Sequence, residues 1–202
     1  MREKKIDDVI LGARSVFFEQ GFAGASMDQI ADVAHVSKAT IYAYFPSKDS
    51  LFREVIEREC DNLAHDLVEP LPCQDSIEDS LVPYSRRLIG FVLSDVYLQL
   101  YRICAAEAGR VPDVGQFFFS AGPERVRSVL AGFLADRCRK GELNIGDMTL
   151  AADQFMQLSF AGILTKRLMG VQGRFDDADV TEHATNAVTA FLAIYATNKK
   201  AV

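Results

Sequence analysis

Between Ser26 and Phe45 the sequence carries two helix-start signals only eleven positions apart, each followed by a short apolar run. Ser26-Met27-Asp28-Gln29 forms a capping box, in which the Ser26 hydroxyl caps the Gln29 amide while the Gln29 side chain reaches back. Ser37 is the N-cap of a second short helix, and Phe45-Pro46 stops it, because a residue before proline is driven out of the helical region. Two short helices joined by a tight turn can pack only through small or apolar residues at their crossing. Ile30, Ala31, Ala34, Val36 and Ile41 occupy those places, with Ala31 at the close contact and Ile41 plugging the junction. This is helix-turn-helix spacing, in which the second helix enters the major groove of DNA. About eight residues at ~1.5 Å each give roughly 12 Å of helix, comparable to the groove width.

The flanking segments extend this unit. Ile6, Ile10, Ala13 and Phe17 form one apolar helical stripe, closed by Gly21 as a left-handed C-cap with Phe22 just beyond. Ser47 caps a further helix that runs through Leu51, Val55, Leu63 and Leu67 to about residue 69, with Asp49 favourable in its first turn. Pro70, Pro72, Gly109 to Pro112, Gly122-Pro123, Gly141 and Gly170 to Gly173 punctuate the rest. The spans between them predict helices over 75–93, 95–108, 113–140 with a break at Gly122-Pro123, 147–169 and 177–197. No segment reads as a strand. The expected fold is all-α, with a three-helix helix-turn-helix domain over 1–47 and a larger helical domain over 48–202.

Charge distribution agrees with a split of roles. The 202-residue chain has a net charge of −6. Residues 1–53 balance seven Lys and Arg against seven Asp and Glu, so the whole acidic excess falls on 54–202. An acidic protein can therefore still bind nucleic acid through its N-terminal part. With 49% hydrophobic residues the chain can bury a core, and no apolar run reaches the ~18 residues of a membrane span. The mixed-charge N-terminus lacks the apolar stretch of a signal peptide, and the expected location is the cytoplasm. Cys60, Cys73, Cys104 and Cys138 form no C-x-x-C pair and read as free thiols of a reducing compartment.

The exposed face of the second short helix carries Lys38, Thr40, Tyr42, Ala43 and Tyr44, flanked by Ser26, Ser37 and Lys48. Hydroxyl and ammonium groups suit phosphate oxygens, and helix N-termini at Ser26, Ser37 and Ser47 offer amides to the same anions. Singly, each residue also fits a solvated or half-buried surface position; in this order they form a constellation.

The stretch GFAGASMDQIADVAHVSKATIYAYFPSKDSLF resembles the DNA-binding domain of the TetR family of one-component regulators, over about residues 6–55. Ser26 takes the family's threonine position, and Ile30-Ala31, Ala34-His35-Val36-Ser37, Ile41 to Phe45 and Ser47 to Leu51 follow its pattern. Two positions depart from it. His35 replaces the turn glycine, a place where histidine tolerates a positive φ better than most residues, and Ala39 replaces a second glycine. The resemblance implies that Ser26, Tyr42 and Lys48 grip phosphates. It also implies that Lys38, Ala39, Thr40 and Tyr44 face bases or nearby backbone, with Ile41 and Phe45 in the core. Ser37 counts among the DNA-binding residues through its helix N-terminus.

It further implies a homodimer on double-stranded operator DNA, a small-molecule effector in the C-terminal domain, and repression relieved when that effector binds. The dimer would form through the last two long helices. Leu150, Phe155, Leu158, Gly162 and Thr165 lie on one, and Ala184, Val188, Phe191, Ile194 and Tyr195 on the other, stripes that an intramolecular core explains equally. Candidate effector-lining residues are Phe91, Tyr97, Tyr101, Arg102, Phe117, Phe118, Met156 and Phe160, each also an ordinary core type. Arg102 and Glu107 either hold a polar effector group or take part in an internal salt bridge.

An enzyme is the rival class, and its signatures are missing. No G-x-S-x-G, phosphate-loop, H-E-x-x-H or dinucleotide motif occurs. His65 with Glu69, and Asp179 with His183, have i,i+4 spacing but no third ligand, so neither a metal nor a cofactor is expected. A ligand-binding or scaffolding protein with a vestigial DNA domain is the second rival, and a gel shift separates it.

Overall fold

The computed structural model describes residues 2–69, 71, 76–111, 113–171 and 175–197. Cys73 and the punctuating residues Pro70, Pro72, Pro112 and Gly173 lie outside them. The described residues form helices α1 (Arg2–Gly24), α2 (Met27–Val33), α3 (Lys38–Tyr44), α4 (Lys48–Val68), α5 (Ile77–Leu93) and α6 (Asp95–Glu107). These are followed by α7 (Val114–Ala121), α8 (Pro123–Arg139), α9 (Met148–Ser159), α10 (Ile163–Leu168) and α11 (Asp177–Tyr195). Among them there is no strand, only an isolated antiparallel bridge between Leu143 and Ala196. No single helix among the described residues is long and apolar enough to cross a membrane.

By compactness the chain divides into two units, residues 1–62 with 99–122, and residues 63–98 with 123–202. A boundary at 47/48 would cut the chain before α4, whereas packing keeps most of α4, most of α6 and all of α7 in the first unit.

In the first unit, α1 buries Val9, Ile10, Ala13, Val16 and Phe17. Gly21 interrupts it at φ 71° and ψ 173°, a positive-φ break that glycine alone adopts readily, but with an extended ψ and so not the left-handed C-cap expected there. Phe22, just past that break, joins Phe17 and Phe52 in an aromatic cluster with ring centroids 4.9 to 5.9 Å apart.

In the second unit, α11 packs on α5 and α9, and α8 packs on α9. Phe155 and Phe191 are fully buried, with ring centroids 5.2 Å apart and nearly perpendicular planes. The Ser85 hydroxyl donates to Ser159 Oγ, which donates to the Phe155 carbonyl, so this buried polar pair is satisfied. Arg137, 1% exposed, donates to Glu142 and Ser80 and lies over the Phe133 ring.

Two expectations are corrected here. The helix expected over 147–169 is broken: α9 stops at Ser159, and Gly162 turns left-handed at φ 76° before α10 begins. The apolar periodicity ran through a glycine whose conformation the helix cannot continue. Phe155, Ala184, Val188 and Phe191 are also not an open docking face, because each is buried within its own chain. Of the two stripes, Leu150 and Ile194 are the large side chains left exposed, at 52% and 62%.

Candidate nucleic-acid interface

The reading unit is assembled by local chemistry. Ser26 Oγ accepts the Gln29 amide at 3.2 Å, and the Gln29 side-chain oxygen accepts from both the Ser26 amide and hydroxyl at 2.9 Å. The expected capping box is thus complete. After α2, His35 adopts φ 53°, the left-handed conformation of the turn position. His35 N–H donates to Asp32 O and Val36 N–H to Ala31 O, which satisfies the last carbonyls of the helix. Ile30 and Ile41, both fully buried, join the two helices. Ser37 Oγ caps α3 by accepting the Thr40 amide at 3.1 Å. At the start of α4, Ser47 and Ser50 each accept the other's amide at 3.1 Å.

Lys38, Ala39, Tyr42 and Ala43 are exposed on α3, while Thr40 and Tyr44 are half-buried. The Ser37 and Thr40 hydroxyls lie 2.8 Å apart. Two hydroxyls carry two protons and use one between them, so one remains for a phosphate oxygen. Lys38 is engaged by Asp28 of α2, with Nζ to Oδ1 at 2.8 Å. This bond to Asp28 also raises the pKa of Lys38, keeping the ammonium charged. Ser26 is half-buried and its hydroxyl proton is already donated inside the capping box. Lys48 is half-buried as well. Its Nζ donates to the Phe22 and Ala25 carbonyls at 2.8 and 2.9 Å and sits 4.4 Å from the centre of the Phe22 ring.

Sequence reasoning missed two residues of this assembly. Gly12 of α1 permits close contact with Ala34, and Asp28 reaches Lys38 across the turn. Periodicity along one helix signals neither, since both relations join residues of different helices.

The eight candidate effector-lining residues fall into both units. Tyr101, Arg102, Phe117 and Phe118 are in the first, and Phe91, Tyr97, Met156 and Phe160 in the second. Tyr101 meets Phe118 edge-on at 5.9 Å, and Phe91 lies 4.8 Å from Tyr97. Phe117 is covered by the Arg53 guanidinium at 4.6 Å. Arg102 is exposed, whereas Glu107 is buried. The second unit carries a groove of about 510 Å³ lined by Pro83, Arg86, Arg87, Gly90 and Phe175 to Asp177 with Val180, none of them among the eight. Among the described residues, no group of three or more His, Cys, Asp or Glu is placed to hold a metal ion.

Two family profiles match the chain. One, described as bacterial regulatory proteins, tetR family, covers residues 9–55. The other, described as the C-terminal domain of AefR-like transcriptional repressors, covers residues 79–197. Among curated proteins, the HTH-type transcriptional activator FasR of Mycolicibacterium smegmatis is 40% identical over 62 residues, 31% of this chain and 28% of that protein. The HTH-type transcriptional repressor ComR of Escherichia coli is 26% identical over 135 residues, 65% of this chain and 64% of that protein. The chain thus spans less than two thirds of the length of these two relatives. Among solved structures, the flavonoid-responsive regulator FrrA superposes with a TM-score of 0.86 at 33% identity, covering 97% of this chain and 99% of that one. A structure described as a TetR-family regulator from Mesorhizobium loti gives 0.82 at 28% identity, covering 98% and 99%.

Proposed function

The chain belongs to the TetR family of transcriptional regulators, and from that premise we propose that it is a ligand-responsive, homodimeric repressor acting on a palindromic operator. The observation that carries this reading is the capped α2–α3 unit, with Lys38, Ala39, Tyr42 and Ala43 exposed on α3 and Thr40 half-buried beside them. Each subunit places α3 in a major groove, with half-sites about one helical turn (~34–36 Å) or a multiple of it apart. Ser26, Tyr42 and Lys48 are assigned to phosphates, Lys38, Ala39, Thr40 and Tyr44 to bases and adjoining backbone, and the helix N-terminus at Ser37 to a phosphate oxygen. Lys48 has a third N–H to offer beyond its two carbonyl bonds, whereas Ser26 must first release its hydroxyl bond to Gln29. A regulator of this kind works where the chromosome is, in the cytoplasm.

Repression is supported by the repressor description of the C-terminal profile and by ComR, while FasR, matched over 62 residues, is an activator. The effector is a small, largely apolar molecule, and the similarity to FrrA makes planar aromatic compounds the first class to test. Phe91, Tyr97, Tyr101, Phe118, Met156 and Phe160 stay candidate contacts, whereas Arg102 at the surface and Phe117 beneath Arg53 are the weakest of the eight. An effector can release the operator only by binding the DNA-free conformation more tightly.

Binding-site selection on randomised duplex DNA tests the reading. A palindromic motif is expected from the parent protein. Thr40→Ala and Tyr44→Ala are expected to change the motif, and Tyr42→Phe to weaken all sites equally, since base-facing groups discriminate sequences and phosphate-facing groups do not. No enriched motif, or one motif shared by all variants, would defeat the assignment.

A further inference from the structure

The charged pair at the front of the reading unit does little for its stability. Lys38 Nζ lies 2.8 Å from Asp28 Oδ1 and 3.0 Å from Oδ2, with the two side chains 48% and 70% exposed. Exposed pairs of this kind contribute little to folding, and buried Ile30 and Ile41 with the His35 turn already hold α2 to α3. What the pair changes is the field in front of the DNA. Asp28 lies in the first turn of α2 and Lys38 opens α3, so an anion stands among the groups assigned to a polyanion.

We propose that Asp28 is a specificity-determining residue that withholds Lys38 from phosphates and directs it to a base edge. The proposal rests on the DNA-binding reading above. If Lys38 reached a phosphate, with or without keeping Asp28, it would hold the carboxylate close to the anionic DNA backbone, where like charges repel. A contact with a neutral base acceptor carries no such cost. The ammonium has three N–H donors, so it can keep Asp28 and still donate to guanine O6 or N7. The carboxylate, in turn, can accept from the N4 amino group of cytosine. The paired side chains therefore match a G·C pair in the major groove and are poorly suited to featureless backbone. The raised pKa of Lys38, caused first by the bond to Asp28, agrees with a persistent pair.

The experiment compares full-length parent, Asp28→Asn, Lys38→Gln and the double variant. Binding-site selection comes first. Fluorescence anisotropy on the selected operator and on a scrambled duplex then follows over a range of salt concentrations. Asp28→Asn is expected to bind the scrambled duplex about five- to tenfold more tightly at low salt. Its log–log salt slope should steepen by roughly 1.8 per dimer, at ~0.9 for each freed lysine. It should also lose preference for one G·C pair in each half-site, and adding Lys38→Gln should reverse the slope change. Far-ultraviolet circular dichroism confirms that the Ser26 cap and helix content survive. An Asp28→Asn protein with the parent's scrambled-duplex affinity, slope and motif overturns this proposal alone. A parent that enriches no motif overturns the DNA-binding reading and takes this proposal with it.

Discussion

A methyl group on Gly12 would lie 2.8 Å from Ala34 Cβ and 3.0 Å from the Ala34 amide nitrogen. The end of α2 rests against α1 because residue 12 has no side chain. Gly12→Ala is therefore expected to push the reading unit off α1, destabilising the protein by about 1–3 kcal/mol through overpacking. Gly90→Ala provides the contrast. A methyl there, within α5, meets nothing within 4 Å, and helix propensity predicts stabilisation of about 0.5–1 kcal/mol. Urea denaturation of both variants checks the claim, and coincident midpoints would contradict it.

Lys48 is expected to act on fold and on DNA together. Its two bonds tie the start of α4 to the last turn of α1 and to the link that follows it. Lys48→Ala leaves the Phe22 and Ala25 carbonyls without that charged donor, at a cost of about 1.5–3 kcal/mol. Losing one phosphate contact in each subunit should also make the operator salt slope shallower by roughly 1.8. Melting and salt titration of the same preparation separate the roles, since lowered stability with an unchanged slope would leave Lys48 to the scaffold alone.

Phe191 and Ile194 lie on the same helix but face different surroundings. Phe191 is fully buried against Phe155 and Tyr195, whereas Ile194 is 62% exposed. A carboxylate at 191 has no partner in that core, and Phe191→Asp is expected to unfold the chain. Ile194→Asp should keep the helical spectrum while splitting the dimer, because an apolar interface centre excludes an unpaired charge. Operator affinity should then fall sharply, since a lone subunit grips one half-site. Light scattering with circular dichroism decides it. A folded, dimeric Ile194→Asp protein would move the interface elsewhere.

Cys104, 3% exposed, has its thiol pKa pushed up to about 12, first by burial and then by the neighbouring Cys60. The thiolate is the nucleophile, so burial keeps Cys104 in its unreactive thiol form near neutral pH. Cys138 is half-buried, and alkylation of the native protein followed by peptide mapping is expected to label it well before Cys104. The folded pKa lies above the ordinary value near 9.0, so the neutral thiol favours the fold. That contribution is complete below about pH 9 and is lost as pH rises toward 12. Faster labelling of Cys104 would refute the burial argument.

The caps at Ser26 and Ser37, the positive-φ turn at His35, the break at Gly21 and the stop at Phe45 were legible in the sequence. Each is settled by hydrogen bonds and backbone sterics within about four residues. Periodicity likewise marked which faces of the later helices are apolar. It did not say what covers them, because a stripe reads the same whether its own chain or a second copy buries it. Packing turned Phe155 and Phe191 inward and left Leu150 and Ile194 outside. It brought Ala34 onto Gly12, gave Lys48 two carbonyl acceptors, and set Asp28 beside Lys38 across the turn. It also grouped residues 99–122 with the helix-turn-helix unit, far from them in sequence. Such relations depend on how helices approach one another in space, a distance that spacing along one chain does not encode.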